Sequence, residues 1–227
     1  MTTGPHTVAI AEVVYPDSDG MPLPDGEYQA PIYRRVVGTL EMEFKDCPGV
    51  WVNGNTFIYY IEGDNRSSVS PDCYVALNIS LESIERYNSY RVWEVGKPPD
   101  FVLEIASEST ADVDLRRKRD LYARIEVPEY WLYDETGGDF YGEPLLGLSL
   151  VDGQYRRIEM NREPDGRVWG HSEALNLDMW WEDGRLRFRD PESNRWLLTP
   201  EEERAGRLEA EARLAELEAE LRRLRGG

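Results

Sequence analysis

The stretch that most constrains this chain is PDFVLEIASEST, residues 99–110. Its centre, FVLEIA, is almost wholly apolar and lies between turn-forming residues, the pattern of a strand buried on both faces. One carboxylate, Glu104, interrupts it. A charge in such a position is costly unless it is paired, hydrogen-bonded or bound to a metal. Side chains two apart in a strand share a face. Val102, Glu104 and Ala106 are therefore expected on one side, and Phe101, Leu103 and Ile105 on the other.

Something elsewhere in the sequence must offset the cost of Glu104. Asp100 is a poor candidate to share a small cation with it, since four residues along a strand separate the Cα atoms by ~13 Å. Asp72 is better placed. It opens the short apolar run DCYVALNI, and side-by-side pairing of that run with 101–105 would let the two carboxylates converge. Two carboxylates with waters and a phosphate oxygen are the usual setting for Mg²⁺. The main-chain carbonyl of Ile105 is a further candidate ligand.

The segment from about Thr110 to Ile125 has helical spacing, with Ser109 and Asp112 forming a capping box at its start. At about 100° per residue, Asp114, Leu115, Lys118, Leu121, Tyr122 and Ile125 fall in one arc. Arg116, Arg117, Arg119, Asp120 and Arg124 fall outside it. Lys118 is thus the one basic residue of this helix expected to face inward, toward Glu104 or a bound phosphate. A lysine beside a metal-held water would orient it and stabilise charge developing on phosphorus. The residues alone fit a second reading equally: a structural Glu104–Lys118 ion pair, with Asp72 an ordinary strand-start residue.

The remaining patterns give the frame. TVAIAEVVY reads as a strand, and the Pro, Gly and Asp clusters after it as a loop. Ile32, Val36, Val37, Leu40 and Phe44 predict an amphipathic helix from about Ala30 to Phe44. VWVNGNTFIYYIEG alternates around Asn-Gly, a hairpin signal. Residues 81–100 read as a long connection, and EYWLYD as a strand. LSLVDGQYRRIEM and MWWEDGRLRFRD read as strand pairs closed by Asp-Gly turns, a β-rich elaboration in which Trp180 and Trp181 pack. From Pro200 the composition turns to Ala, Glu, Leu and Arg, with Leu214, Leu217, Leu221 and Leu224 on a heptad seam. The expected division is a domain over 1–199 and a charged helix or short coiled coil over 200–227, whose self-association would give a homodimer or higher homo-oligomer.

With 26 basic and 44 acidic residues, the net charge is −18. That disfavours gripping nucleic acid through phosphate contacts alone, while leaving room for a locally basic cleft. Cys47 and Cys73 form no CxxC pattern, which argues against zinc and points to a reducing cytoplasm. The sequence shows no membrane span and no secretory signal at its start.

The order helix, hairpin, strand with Pro71-Asp72, strand with an inward Glu104, helix, strand resembles the core of PD-(D/E)XK nucleases. More closely, the chain resembles the Uma-two family of restriction endonucleases. The matching residues are SPDCYVAL at 70–77, GKPPDFVLEIASEST at 96–110, then Asp114, Lys118 and Tyr122, then VPEYWLYD at 127–134, with a charged tail like that of many members. The resemblance implies an α/β fold with a mixed central sheet flanked by helices, Asp72 and Glu104 as metal-holding acids, and a Mg²⁺- or Mn²⁺-dependent endonuclease acting on DNA. The lysine normally two residues after the glutamate is replaced here by Ala106, and Lys118 stands as its migrated counterpart. Relatives often carry a histidine just before the first long helix. Gln29 stands about there, with Glu27 nearby as a candidate outer ligand. The alternative is a catalytically weak or inactive nuclease fold acting as an oligomeric interaction scaffold.

Overall fold

The computed structural model describes residues 13–16, 26–85, 87 and 89–225, without the side chains of 26–29 and 85. Most of the expected strand over 7–15 lies outside these residues. Helix α1 (Gly26–Phe44) begins before the expected Ala30 and buries Val36, Val37 and Leu40. Then come β1 (Trp51–Asn53), β2 (Ile58–Tyr59), β3 (Ser68–Val69) and β4 (Cys73–Ala76). The connection over 81–100 contains short pieces of structure: α2 (Glu82–Glu85), β5 (Tyr90–Arg91) and α3 (Val92–Val95). Strand β6 (Phe101–Ile105) is followed by a π-helical turn (Val113–Lys118), α4 (Arg119–Arg124) and β7 (Glu129–Tyr133).

The chain goes on through β8 (Leu145–Val151) and β9 (Gln154–Arg157). A second run of strands follows: β10 (Asn161–Arg162), β11 (Val168–Ser172), β12 (Leu177–Glu182) and β13 (Arg185–Arg189). The central sheet has the order β1-β4-β6-β7-β8-β9. Its one parallel pair, β6 with β7, is joined by the helical crossover that such a pair requires. The fold is therefore mixed α/β, with a mixed sheet at its centre.

The alternation expected of β6 holds. Val102 and Ala106 join a core layer with Leu121 and Tyr122 of α4 and with Ile58, Val69 and Tyr90 of the small sheet β3-β2-β5. Phe101, Leu103 and Ile105 join the opposite layer, with Val36, Val37 and Leu40 of α1 and with Met179 and Phe188 of the sheet β10-β11-β12-β13. Glu104 therefore emerges on the α4 side. Both cysteines are free, Cys73 buried and Cys47 exposed. Among the described residues, no helix is long and apolar enough to cross a membrane.

Three local expectations are corrected. Asn53-Gly54 does not close a hairpin: β1 pairs with β4, whereas β2 pairs with β3 and β5. Its physical role is close approach. A Cβ on Gly54 would lie 2.0 Å from the Asp72 carbonyl oxygen, so glycine lets the chain press against the start of β4. The hairpin β8–β9 does turn at Asp152-Gly153, both residues in left-handed conformations, but it extends the central sheet itself. Of the two expected strand pairs, the second falls within β10–β13, a sheet separate from the central one, where Trp180 stacks on Trp169 at 5.1 Å between ring centroids. Finally, the first turn after β6 is held by Ser107, two residues before the expected cap: its hydroxyl accepts the Thr110 N–H at 3.3 Å.

Helix α5 (Pro200–Arg225) opens with a reciprocal cap. The Glu202 N–H donates to Thr199 Oγ1 at 3.2 Å, and the Thr199 N–H to Glu202 Oε2 at 2.9 Å. Pro200 rests on Gly38 of α1. No α5 residue is buried, and Leu214, Leu217, Leu221 and Leu224 are exposed.

The packing at Gly54 yields a test. Gly54→Ala forces a methyl group into main-chain atoms that cannot yield, so unfolding free energy should fall by about 2 kcal/mol or more. A lower urea midpoint with an unchanged slope would show it.

Candidate active site

The site begins with a proline. The register of β4 on β6 sets Cys73 opposite Leu103; one more step would set Asp72 opposite Glu104, and a second Pro71 opposite Ile105. Proline has no N–H to continue the ladder, and the Pro71 carbonyl accepts from the Asn55 N–H at 2.9 Å rather than from Ile105. The Ile105 N–H donates instead to Asp72 Oδ2 at 2.7 Å. The Asp72 N–H points back at Glu104 Oε2, 3.4 Å away. The ladder thus ends in a side-chain clasp that brings Asp72 and Glu104 together at the end of the sheet.

The crossover helix closes the site from the other side. Lys118 Nζ lies 2.9 Å from Glu104 Oε2 and 2.9 Å from Asp114 Oδ1. The Tyr122 hydroxyl donates to Glu104 Oε1 at 2.7 Å. The Tyr141 hydroxyl donates to Asp114 Oδ2 at 2.8 Å, and that of Tyr130 to the Asp114 carbonyl at 3.1 Å. Both acids are buried, at 1% exposure each, while the Lys118 side chain keeps 19% and Asp72 is half-buried. Solvent therefore meets this cluster at Lys118 and Asp72.

Three carboxylates, of Asp72, Glu104 and Asp114, share one ammonium here. Burial raises Glu104 from the usual carboxylate range to about 8; Lys118 opposes the rise, and Asp72 and Asp114 add to it. Asp72 is raised too, by burial first, against the pull of Lys118. For Lys118, burial works to lower the pKa, but Glu104, Asp114 and Asp72 outweigh it and hold the amine charged. Burial and the Glu104 carboxylate push the Tyr122 phenol well above its ordinary value, so it remains a donor.

Hard oxygen donors with excess negative charge suit Mg²⁺ or Mn²⁺. Among the described residues, no group of three or more His, Cys, Asp or Glu side chains is disposed to hold a metal ion. A cation here would thus take Asp72 and Glu104 as its side-chain ligands, with main chain and solvent completing the shell. The Ile105 carbonyl leaves the strand on the same edge as the N–H that meets Asp72.

Asp100 has no part in this cluster. At the other end of β6 its carboxylate accepts from Lys97 Nζ at 2.7 and 2.8 Å and from the Leu77 N–H at 2.7 Å. A cleft of about 830 Å³ opens at that end, and its walls include Asp100, Glu129, Glu159 and Glu173. Its size alone would attract attention, but its acidic lining suits a phosphate poorly, and it holds none of the predicted site residues.

The four residues singled out from the sequence, Asp72, Glu104, Ile105 and Lys118, thus meet at one place. The sequence matches the family Uma2, described as "putative restriction endonuclease", over residues 19–184. This chain belongs to the Uma2 family. The Uma2 match spans the whole acid–lysine cluster and leaves out β13 and α5. No curated protein matches the chain. A crystal structure described as "a putative nuclease belonging to DUF820 from Anabaena variabilis ATCC 29413" is similar, with 16% identity and a TM-score of 0.44, over 63% of this chain and 75% of that one. Glu27 and Gln29 lie in α1, but their side chains are outside those described.

Sequence reasoning did not assign Asp114, Tyr122, Tyr130 or Tyr141 to the site. Asp114 and Tyr122 carried a signal, standing four residues either side of Lys118 on the inward arc. Tyr141, in the loop after β7, carried none.

The raised Glu104 has a consequence for stability. It holds a proton in the folded chain at pH values where the unfolded chain has lost it. Its contribution is full below the ordinary carboxylate range and fades as pH rises toward about 8. In EDTA, wild-type unfolding free energy should therefore fall relative to Glu104→Gln by up to about 1.4 kcal/mol per pH unit between about pH 5 and pH 8. Parallel profiles in denaturant titrations would contradict this.

Proposed function

We propose that this chain is a Mg²⁺- or Mn²⁺-dependent endonuclease that hydrolyses phosphodiester bonds in DNA. The observation that carries the reading is the contact of Lys118 Nζ with Glu104 Oε2 at 2.9 Å, beside Asp72 and in reach of solvent. Membership of the Uma2 family supports it.

Asp72 and Glu104 hold the cation, with the Ile105 carbonyl as a further ligand. When bound, the cation polarises a phosphoryl oxygen and lowers the pKa of water. Each residue has a definable task. The Ile105 N–H holds Asp72 Oδ2 and fixes the carboxylate beside Glu104. Tyr122 takes Oε1 of Glu104 and fixes the plane of its carboxylate. Lys118 has three donors; it is ion-paired with Glu104 and Asp114, and a donor not used by Glu104 serves a phosphate oxygen or the attacking water. Asp114, itself anchored by Tyr141, keeps the amine charged and aimed.

The reading predicts separable losses. Calorimetry should show Mg²⁺ or Mn²⁺ binding to wild type and little to Glu104→Ala; equal binding would remove the metal assignment. Plasmid cleavage should fall about 100-fold or more in Lys118→Ala, the scale seen when one donor to a developing oxyanion is lost. Undiminished cleavage would clear Lys118 of its role.

One observation favours a second, non-enzymatic reading: the exposed leucine seam of α5, which suits an assembly with a second copy of the chain. Light scattering should then give a multiple of the 26.2 kDa chain mass, reduced to the single-chain mass by Leu214→Ser, Leu217→Ser and Leu221→Ser together. A single-chain mass for wild type would dismiss this reading.

A further inference from the structure

The crossover helix that turns Lys118 inward turns arginines outward. The run Arg116, Arg117, Lys118, Arg119 and then Arg124 concentrates positive charge on one element of a chain whose net charge is −18. A pocket of about 460 Å³ lies on this flank, lined by Tyr60, Arg116, Arg117, Asp120, Leu121 and Arg124. Three guanidinium groups thus face a single carboxylate. Arg116 has a loose, exposed pairing with Asp112 at 3.7 Å. Among the described residues, Arg117 and Arg124 have no ion-pair partner. A protein with 44 acidic residues had many ways to neutralise them.

The pocket is next to the chemistry. Arg117 precedes Lys118 directly, and Leu121 is one turn beyond it. Lys118 and Arg124 are six residues apart, ~9 Å along the axis at the α-helical rise. Phosphates of one duplex strand recur every ~3.4 Å of axis, so this reach covers two or three of them. The acidic cleft at the opposite end of β6 makes the charge polarity one-sided.

We infer that the Arg116–Arg117–Arg124 pocket is the docking site for backbone phosphates of duplex DNA, seating the strand so that one phosphodiester reaches Lys118. This rests on the nuclease reading for the identity of the partner. Contacts of this kind fix position and register and carry no base sequence. Any sequence preference of the protein would therefore arise elsewhere.

The test is equilibrium binding of a fluorescent DNA duplex to the full chain in EDTA, with the duplex checked intact on a gel, across a range of salt. Each phosphate contact contributes about 0.9 to the slope of log affinity against log salt. The triple variant Arg116→Ala, Arg117→Ala, Arg124→Ala should lower that slope by about 2 to 3, with affinity down by about tenfold or more at moderate salt. Lysines at the three positions should restore most of the slope, since they keep the charge. Unchanged slope and affinity in the alanine variant would overturn the inference. So would an equal loss on replacing Arg204, Arg207 and Arg213 of α5, and so would a wild-type chain that binds no duplex. The two readings fail separately: a slope lost in the variant of a protein that cleaves nothing sinks only the nuclease, and cleavage with an unaltered slope sinks only the docking site.

Discussion

The structure depends on how one buried carboxylate is accommodated. Glu104 sits in the centre strand of a six-stranded sheet, where neither face offers water. Its two oxygens are met by Lys118, Tyr122 and the Asp72 N–H, from a helix and a neighbouring strand. Isolated charges at such depth are not tolerated, and a pair survives only when both partners are well hydrogen-bonded. This requirement fixes the helix against the sheet more narrowly than apolar packing does, because a slip of one residue would leave an acid and an amine unmatched. Three carboxylates face one ammonium there, and burial together with the neighbouring acids raises Glu104 toward protonation.

Much of this was legible in the sequence because the signals are local. The face on which Glu104 emerges follows from strand alternation, and the inward turn of Lys118 from helical periodicity; the structure has both. Asp72 needed one extra assumption, that two short strands pair, and β4 does lie beside β6. What escaped depends on partners distant in sequence. Asn53-Gly54 has the local signature of a hairpin, yet the strands on either side of it are drawn to different sheets, and the glycine serves to admit the Asp72 backbone. Tyr141 reaches Asp114 across 27 positions, a meeting no periodicity announces. The π-helical turn over Val113–Lys118 likewise leaves no mark that helical spacing can read.

The same crossover segment serves two ends. Its inner arc holds the acid cluster, and its outer flank holds the arginines, so any change in the winding of the π turn shifts both together. Wide turns of this kind are frequent at functional sites.

The two margins of the central sheet are β1 and β9. Unpaired strand margins invite other chains to add on, and proteins guard against this with brevity and charge. Both devices are present: β1 has three residues, and β9 presents Arg156 and Arg157 to solvent. Growth of the sheet from one molecule into the next is therefore blunted at either border, and crowded solutions of this protein have little purchase for cross-β stacking through its core.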